Sequence, residues 1–272
     1  MISDAQRSPE LEEQLAPILE GRAVYAFQSV GSTMEVAHEL AAEGAPEGTL
    51  VFASRQEQGR GRWGRAWESP EGGVYLSLIV RPSRPVDQIP QLSLVAGLAM
   101  AETILQTTHL FASIRWPNDL LLGGKKVAGI LAEGRSPKAE GQNTGLRPPA
   151  SGLRPAVVIG IGINVSTDPS KLPDVATSLH AAGAVCDPLE LTGALCDTFD
   201  AWYDGWTKQG FDLIRQALRP WIGLFGHPVQ LTAGSEQFQG TAVDLDEQGR
   251  LVVRLDSGIQ RNFEMGEVTL LR

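Results

Sequence analysis

Cysteine is scarce: Cys186 and Cys196 are the only two in 272 residues. They lack the paired spacing of a zinc site, so no protein-held metal is expected. Buried free thiols are expected in preference to a single disulfide. The opening residues hold Glu10, Glu12 and Glu13 and no apolar run, so no signal peptide is evident. No stretch approaches the roughly 18 consecutive apolar residues that a membrane helix needs. Positive charge is also short, with 23 Lys and Arg against 32 Asp and Glu and a net charge of -9. A protein that grips duplex DNA presents a broad basic face, and this chain is expected to bind neither DNA nor a membrane. A cytoplasmic location is the corresponding expectation. Hydrophobic residues make up 42%, enough for a packed core. The length suits one large domain, or a large one with a small one.

The basic residues that are present gather in one loop. Arg55-Gln56-Glu57-Gln58-Gly59-Arg60-Gly61-Arg62-Trp63-Gly64-Arg65-Ala66-Trp67 alternates glycine with arginine. It lies between two expected strands, Thr49 to Ser54 and Val74 to Val80. Arginine presents planar forks of donors that match phosphate and carboxylate oxygens. Glycine lets a ligand approach the backbone closely. The loop fits a small anion; a solvated basic turn and an RNA-binding Arg-Gly segment fit the same pattern.

Other stretches place the remaining candidates. Met1 to Gly21 spaces Leu11, Leu15, Ile18 and Leu19 as one short surface helix. Val24 to Gln28 reads as a strand. Ser32 with Glu35 has the capping-box spacing for a helix that Gly44 and Pro46 end. Ser32 is then a cap, a polar ligand contact at a helix N-terminus, or both. Gln91 to His109 is a helix with Leu94, Leu98, Ala101 and Leu105 on its core face. Trp116-Pro117 ends a strand, which puts Asn118 and Asp119 in a turn. Gly123-Gly124 marks a hairpin whose return strand runs from Lys126 to Glu133. Alternation there puts Lys126 on the face of Ala128 and Ile130. Gly134 to Pro155 reads as a long flexible loop. Ala156 to Val165 is a strand with Val157, Ile159, Ile161, Ile163 and Val165 on one face. Val158, Gly160, Gly162 and Asn164 form the other, suited to tight sheet packing or to a flat ligand. Leu191, Leu195, Phe199, Trp202 and Trp206 mark a helix packed on the sheet, and Phe211 to Leu224 another, interrupted near Pro220. From His227 onward, five short strands with tight turns suggest a small closed β-barrel.

The motifs together resemble the biotin–protein ligases. Gly59-Arg60-Gly61-Arg62-Trp63-Gly64-Arg65-Ala66-Trp67 is similar to that family's signature loop, followed by Ser69-Pro70 and Tyr75-Leu76-Ser77. Arg115-Trp116-Pro117-Asn118-Asp119 resembles its Lys-Trp-Pro-Asn-Asp. Lys126-Val127-Ala128-Gly129-Ile130-Leu131 resembles its Lys-Leu-Ala-Gly-Ile-Leu. Gly160-Ile161-Gly162-Ile163-Asn164 and Ala176-Thr177-Ser178-Leu179 follow in the family's order.

The resemblance implies an α+β fold: a mixed β-sheet packed with helices, class II synthetase-like, then a small SH3-like barrel. It divides the chain into a helical extension (1–22), a catalytic domain (23–225) and the barrel (226–272). It implies an enzyme that joins biotin to ATP with Mg²⁺, then passes biotin to a lysine of a biotin carboxyl carrier domain, acting as monomer or homodimer. The implied catalytic residues are Lys126, Arg62 and Arg60. Biotin contacts fall on Ser32, Thr33, Met34, Gln56, Arg60, Gly61, Arg62 and Lys126. Many family members have Asn where this chain has Met34. ATP contacts fall on Arg60, Arg65, Trp67, Asn118, Asp119 and Asn164. Asp119 is a candidate to touch Mg²⁺ or to orient Lys126. The stretch before Val24 is too short for the winged helix-turn-helix that some members carry, which argues against a repressor. A lipoate–protein ligase of the same fold group and a non-enzymatic biotin-responsive regulator are the alternatives.

Overall fold

A computed structural model describes residues 7–134, 154–264 and 266–271; the stretch from 135 to 153, read above as part of a long loop, lies outside them. The chain enters through α1 (Pro9–Leu15), capped by Ser8. This helix packs on the main domain: its Leu11 and Leu15, with Leu19 just beyond it, are buried in the main core. β1 (Val24–Phe27), α2 (Thr33–Ala42) and β2 (Leu50–Ala53) then form a crossover unit with β1 and β2 parallel. After the Gly-Arg loop come β3 (Gly73–Val80) and α3 (Gln91–Thr108). β4 (Ser113–Arg115), β5 (Asp119–Leu122) and β6 (Lys125–Gly134) follow as antiparallel neighbours, then β7 (Val157–Asn164). The seven-stranded sheet has the order β1-β2-β3-β7-β6-β5-β4, so the last strand inserts at the centre, between β3 and β6.

β3 and β7 are buried on both faces, which is why they read as near-continuous apolar runs. Val157, Ile159, Ile161 and Ile163 face the larger core with α3. Val158 packs with α2 on the other side. α3 is covered by the sheet below and by α4 (Pro188–Gln209) above, so it is buried nearly all round. With its preceding turn α3 is long and apolar enough to cross a membrane by length and composition, but 67% of that window is buried inside the domain. Leu105 departs from the expected core face and is 37% exposed near the helix end. α4 therefore packs chiefly on α3 rather than on the sheet. α5 (Phe211–Leu218) stops before Pro220, which has no N–H with which to continue the helix.

The C-terminal strands are β8 (Pro228–Ala233), β9 (Glu236–Leu245), β10 (Leu251–Leu255), β11 (Gln260–Phe263) and β12 (Glu267–Leu270). They form an antiparallel SH3-like sheet in the order β11-β10-β9-β8-β12, so β12 returns to lie beside β8. Its inner residues Val229, Leu231, Leu251 and Val253 join the main core. The turn between β9 and β10 is tied down twice. Trp116 Nε1 donates to the Gly249 carbonyl at 3.0 Å, and Gln91 Nε2 to that of Glu247 at 3.1 Å. These ties bring β12 to the mouth of the cleft described next.

Candidate active site

A cleft of about 360 Å³ opens between the Gly-Arg loop, the start of α2, the β5–β6 hairpin and β12. It is built by local bonds. Val30 and Gly31 pair with the loop's first half: Glu57 N–H donates to Val30 O at 2.9 Å and Gln58 N–H to Gly31 O at 2.7 Å. The second half folds on itself, with Trp67 N–H donating to Gly59 O at 2.9 Å and Gly61 N–H to Arg65 O at 2.8 Å. Gly59 is required there, since a Cβ would stand 2.3 Å from Trp67 O. At the tip Trp63 adopts φ 57, a left-handed conformation that few non-glycine residues take. Its ring lies 4.4 Å from the Arg62 guanidinium and 5.3 Å from that of Arg65.

The polar wall is a single chain of hydrogen bonds. Ser77 Oγ donates to Thr33 Oγ1 at 2.9 Å, and Thr33 Oγ1 donates to Gln56 Oε1 at 3.1 Å. Gln56 Oε1 also accepts from Thr33 N–H, while Gln56 Nε2 donates to Ser69 Oγ at 2.9 Å. Ser32 stands outside this chain. It is the N-cap residue by backbone geometry, but its hydroxyl makes no capping bond. The capping bond expected of Ser32 does not form, and the Glu35 carboxylate pairs with Arg60. Ser32 Oγ is buried with no hydrogen-bond partner among the described residues, as is Trp67 Nε1. Leaving a buried hydroxyl unpaired costs about 1–3 kcal/mol, so a ligand atom is the natural partner.

The cations differ in how they are held. Lys126 Nζ lies 2.6 Å from Asp119 Oδ1, and Arg115 donates to Asp119 Oδ2 at 2.6 Å. Asp119 thus opens β5 rather than sitting in a turn, and both its oxygens are engaged by cations. Lys126 does not share a face with Ala128 and Ile130. A β-bulge at Val127 (Leu120 pairs with Ala128, Leu121 with Lys126) flips it toward Gly129. Its ammonium lies 3.2 Å from where a Gly129 side chain would begin and 4.9 Å from the Trp67 ring centre. Arg62 donates to Asn118 Oδ1 at 3.1 Å, and Asn118 Nδ2 donates to Ile130 O at 2.8 Å. Burial lowers the Arg62 pKa, with Asp119 and Glu267 pulling it back up; a guanidinium in this setting stays charged. Arg60 is ion-paired with Glu35 and lies 3.7 Å from Glu133, and Arg65 pairs with Glu267 of β12.

Of the residues the sequence singled out, Ser32, Thr33, Met34, Gln56, Arg60, Gly61, Arg62, Arg65, Trp67, Asn118, Asp119 and Lys126 line this one cleft. Asn164 does not. It is 1% exposed, and its amide donates to Thr177 O, clamping the Ala176–Leu179 segment to β7. The glycine face of β7 is not bare either: Trp67 covers Gly162 and Met34 covers Gly160. Gly266, Glu267, Val268 and Thr269 also line the cleft. No local pattern marks them, because β12 reaches the cleft through tertiary contacts: the Arg65–Glu267 pair, burial of Val268 in the main core, and the ties at Gly249 and Glu247 that hold the sheet. Among the described residues no group of His, Cys, Asp or Glu is arranged to hold a metal ion.

Fold and cleft together define a class of carboxylate-activating protein ligases. The sequence model of the Biotin/lipoate A/B protein ligase family matches residues 26–144. That of the Biotin protein ligase C terminal domain matches residues 224–271. The chain is 36% identical over 240 residues to the bifunctional ligase/repressor BirA of Bacillus subtilis, covering 86% of this chain and 70% of that one. It is 32% identical over 228 residues to the biotin–[acetyl-CoA-carboxylase] ligase of Paracoccus denitrificans, covering 80% and 89%. The biotin protein ligase from Aquifex aeolicus in complex with biotin and ATP superposes with a TM-score of 0.74 at 28% identity, covering 92% of this chain and 99% of that one. The chain belongs to the biotin–protein ligase family.

Proposed function

We infer that this chain is an ATP-dependent biotin–protein ligase. A biotin carboxylate oxygen attacks the α-phosphorus of ATP, and pyrophosphate leaves. The resulting mixed anhydride, biotinyl-adenylate, is then attacked at its carbonyl carbon by a lysine amine. The new amide forms, AMP leaves and the amine loses a proton. The acceptor is a lysine on the carrier domain of a biotin-dependent carboxylase, and the setting is the cytoplasm.

One observation carries this reading: an unpaired buried hydroxyl, Ser32, in the same cleft as the cations Arg62 and Lys126. The first suits the polar edge of biotin's urea ring. The second suit a carboxylate meeting a phosphate, where two anions must be brought together. Asp119 fixes the Lys126 ammonium, and Asn118 fixes the Arg62 fork. Thr33 and Gln56 already satisfy one another, so they shape the ring slot more than they supply free donors. Arg60, held by Glu35 and Glu133, stands at the rim. The folded Gly-Arg loop screens the anhydride from water.

Mg²⁺ is expected to arrive with the triphosphate. The cleft carboxylates Asp119 and Glu267 are each engaged by cations, and they do not form a resident magnesium site. When bound to ATP, the ion neutralises phosphate charge.

Isotope exchange between ATP and pyrophosphate tests the reading. Exchange dependent on biotin and not on lipoate is expected. Exchange with lipoate alone, or none from folded protein, overturns it.

A further inference from the structure

Gly160 on β7 has a near neighbour that its bare backbone conceals. A Cβ there would stand 2.6 Å from Met34 Sδ and 2.8 Å from Met34 Cγ. Met34, in the first turn of α2, is 4% exposed and lines the cleft with Ser32 and Gln56. Behind it Phe27, Val36, Ala37 and Val158 are buried in the α2 cluster. The thioether is thus pinned between a closed apolar wall and the glycine it covers. Beside it is the Ser32 hydroxyl, which has no hydrogen-bond partner among the described residues.

We propose that Met34 is a specificity-determining residue: resting on Gly160, its thioether sets the depth of the slot beside the Ser32 hydroxyl and so limits the size of cyclic urea accepted there. This rests on the ligase reading above. A methionine thioether offers no hydrogen-bond donor; it is unbranched and soft, and it fills irregular gaps. It therefore selects by bulk, while Ser32 supplies the polar contact. A change of one methylene in an apolar pocket discriminates about 10- to 200-fold. Gly160 is the other half of the device, because any side chain at that position drives the thioether toward the slot.

The test is isothermal titration of the full chain with biotin and with each biotin isomer methylated on a ureido nitrogen. Wild type, Met34→Ala, Gly160→Ala and the double variant are compared, with thermal unfolding recorded for each. Met34→Ala is expected to lower the preference for biotin over a methylated isomer by about tenfold or more. Gly160→Ala is expected to weaken biotin binding by about tenfold, and the double variant to recover it. Should Gly160→Ala not fold, the selectivity ratio of Met34→Ala decides alone. An unchanged ratio in folded Met34→Ala leaves Met34 as core packing and overturns the inference by itself. Wild-type protein that binds no biotin overturns both the ligase reading and this inference.

Discussion

Arg62 and Lys126 bring the same sign of charge into one cleft but are anchored differently. Lys126 is paired with Asp119, whose second oxygen holds Arg115. Arg62 rests on the neutral amide of Asn118. The ammonium is thus aimed by a charge, and the guanidinium stays electrically uncompensated by that contact. Lys126→Ala is expected to lower adenylate formation about 10²- to 10³-fold, the usual cost of removing one fixed transition-state contact. The thermal midpoint should change little, because Lys126 lines an open cleft. Pyrophosphate exchange checks this, and near-wild-type exchange refutes the role. Arg62→Gly should act on retention instead. A charge-assisted contact contributes about 1.5–3 kcal/mol, so the variant still makes the adenylate but loses it about ten- to a hundredfold faster. Adenylate release by rapid filtration, with labelling of a bystander protein, measures this. Wild-type retention, or no adenylate at all, shows that Arg62 has a different task.

At the scale of elements, the Gly-Arg loop and the β6–β7 connection contrast. The loop is fixed by bonds to Val30 and Gly31 and by its own hairpin pairing. The connection joins strands that are already neighbours, with Gly134 opposite Val157. Its ends are therefore held together by the sheet. Loop closure changes by only about 0.6 kcal/mol per doubling of length. Deleting residues 136–152 is expected to leave biotin affinity within a few-fold, as titration of the folded deletion variant will show. Complete loss of binding there would place the segment in the site. Both strands were legible from their alternation. The bulge at Val127 was not, because it arises from pairing with β5, and that one extra residue decides which way Lys126 points.

Across the whole molecule, Trp116 links the two parts of the cleft. Its indole donates to Gly249 O in the β9–β10 turn, one residue before the Pro117-Asn118-Asp119 run that holds Arg62 and Lys126. Trp116→Phe keeps the ring but removes the donor, leaving a buried carbonyl short of a partner. A loss of about 1–3 kcal/mol is expected. The loss should appear as faster amide exchange in β8–β12 and as a higher KM for ATP, since Glu267 and Thr269 line the cleft. Unaltered exchange in those strands would show that Gln91 and core packing hold the C-terminal sheet without Trp116.

By itself the chain specified its strands, its long helices and the membership of nearly the whole cleft. The elements follow from local periodicity and from glycine and proline placement, whereas the cleft members follow from motifs that resemble those of the biotin–protein ligases. Tertiary structure alone decided the rest. Ser32 could have been a helix cap, a ligand contact, or both; in the fold its hydroxyl makes no capping bond and finds no partner among the described residues, and the Glu35 carboxylate pairs with Arg60. Asn164, an ATP contact by the resemblance, lies outside the cleft lining, where its amide donates to Thr177 O. The glycine face of β7 suited either tight packing or a flat ligand, and it is packed: Trp67 and Met34 fill it. Glu267 and Thr269 carried no signal at all, because their place in the cleft depends on contacts between distant segments, among them the Arg65–Glu267 pair and the burial of Val268. Local sequence fixes what a segment can be, whereas charge pairing and close packing between distant segments fix what its side chains can reach.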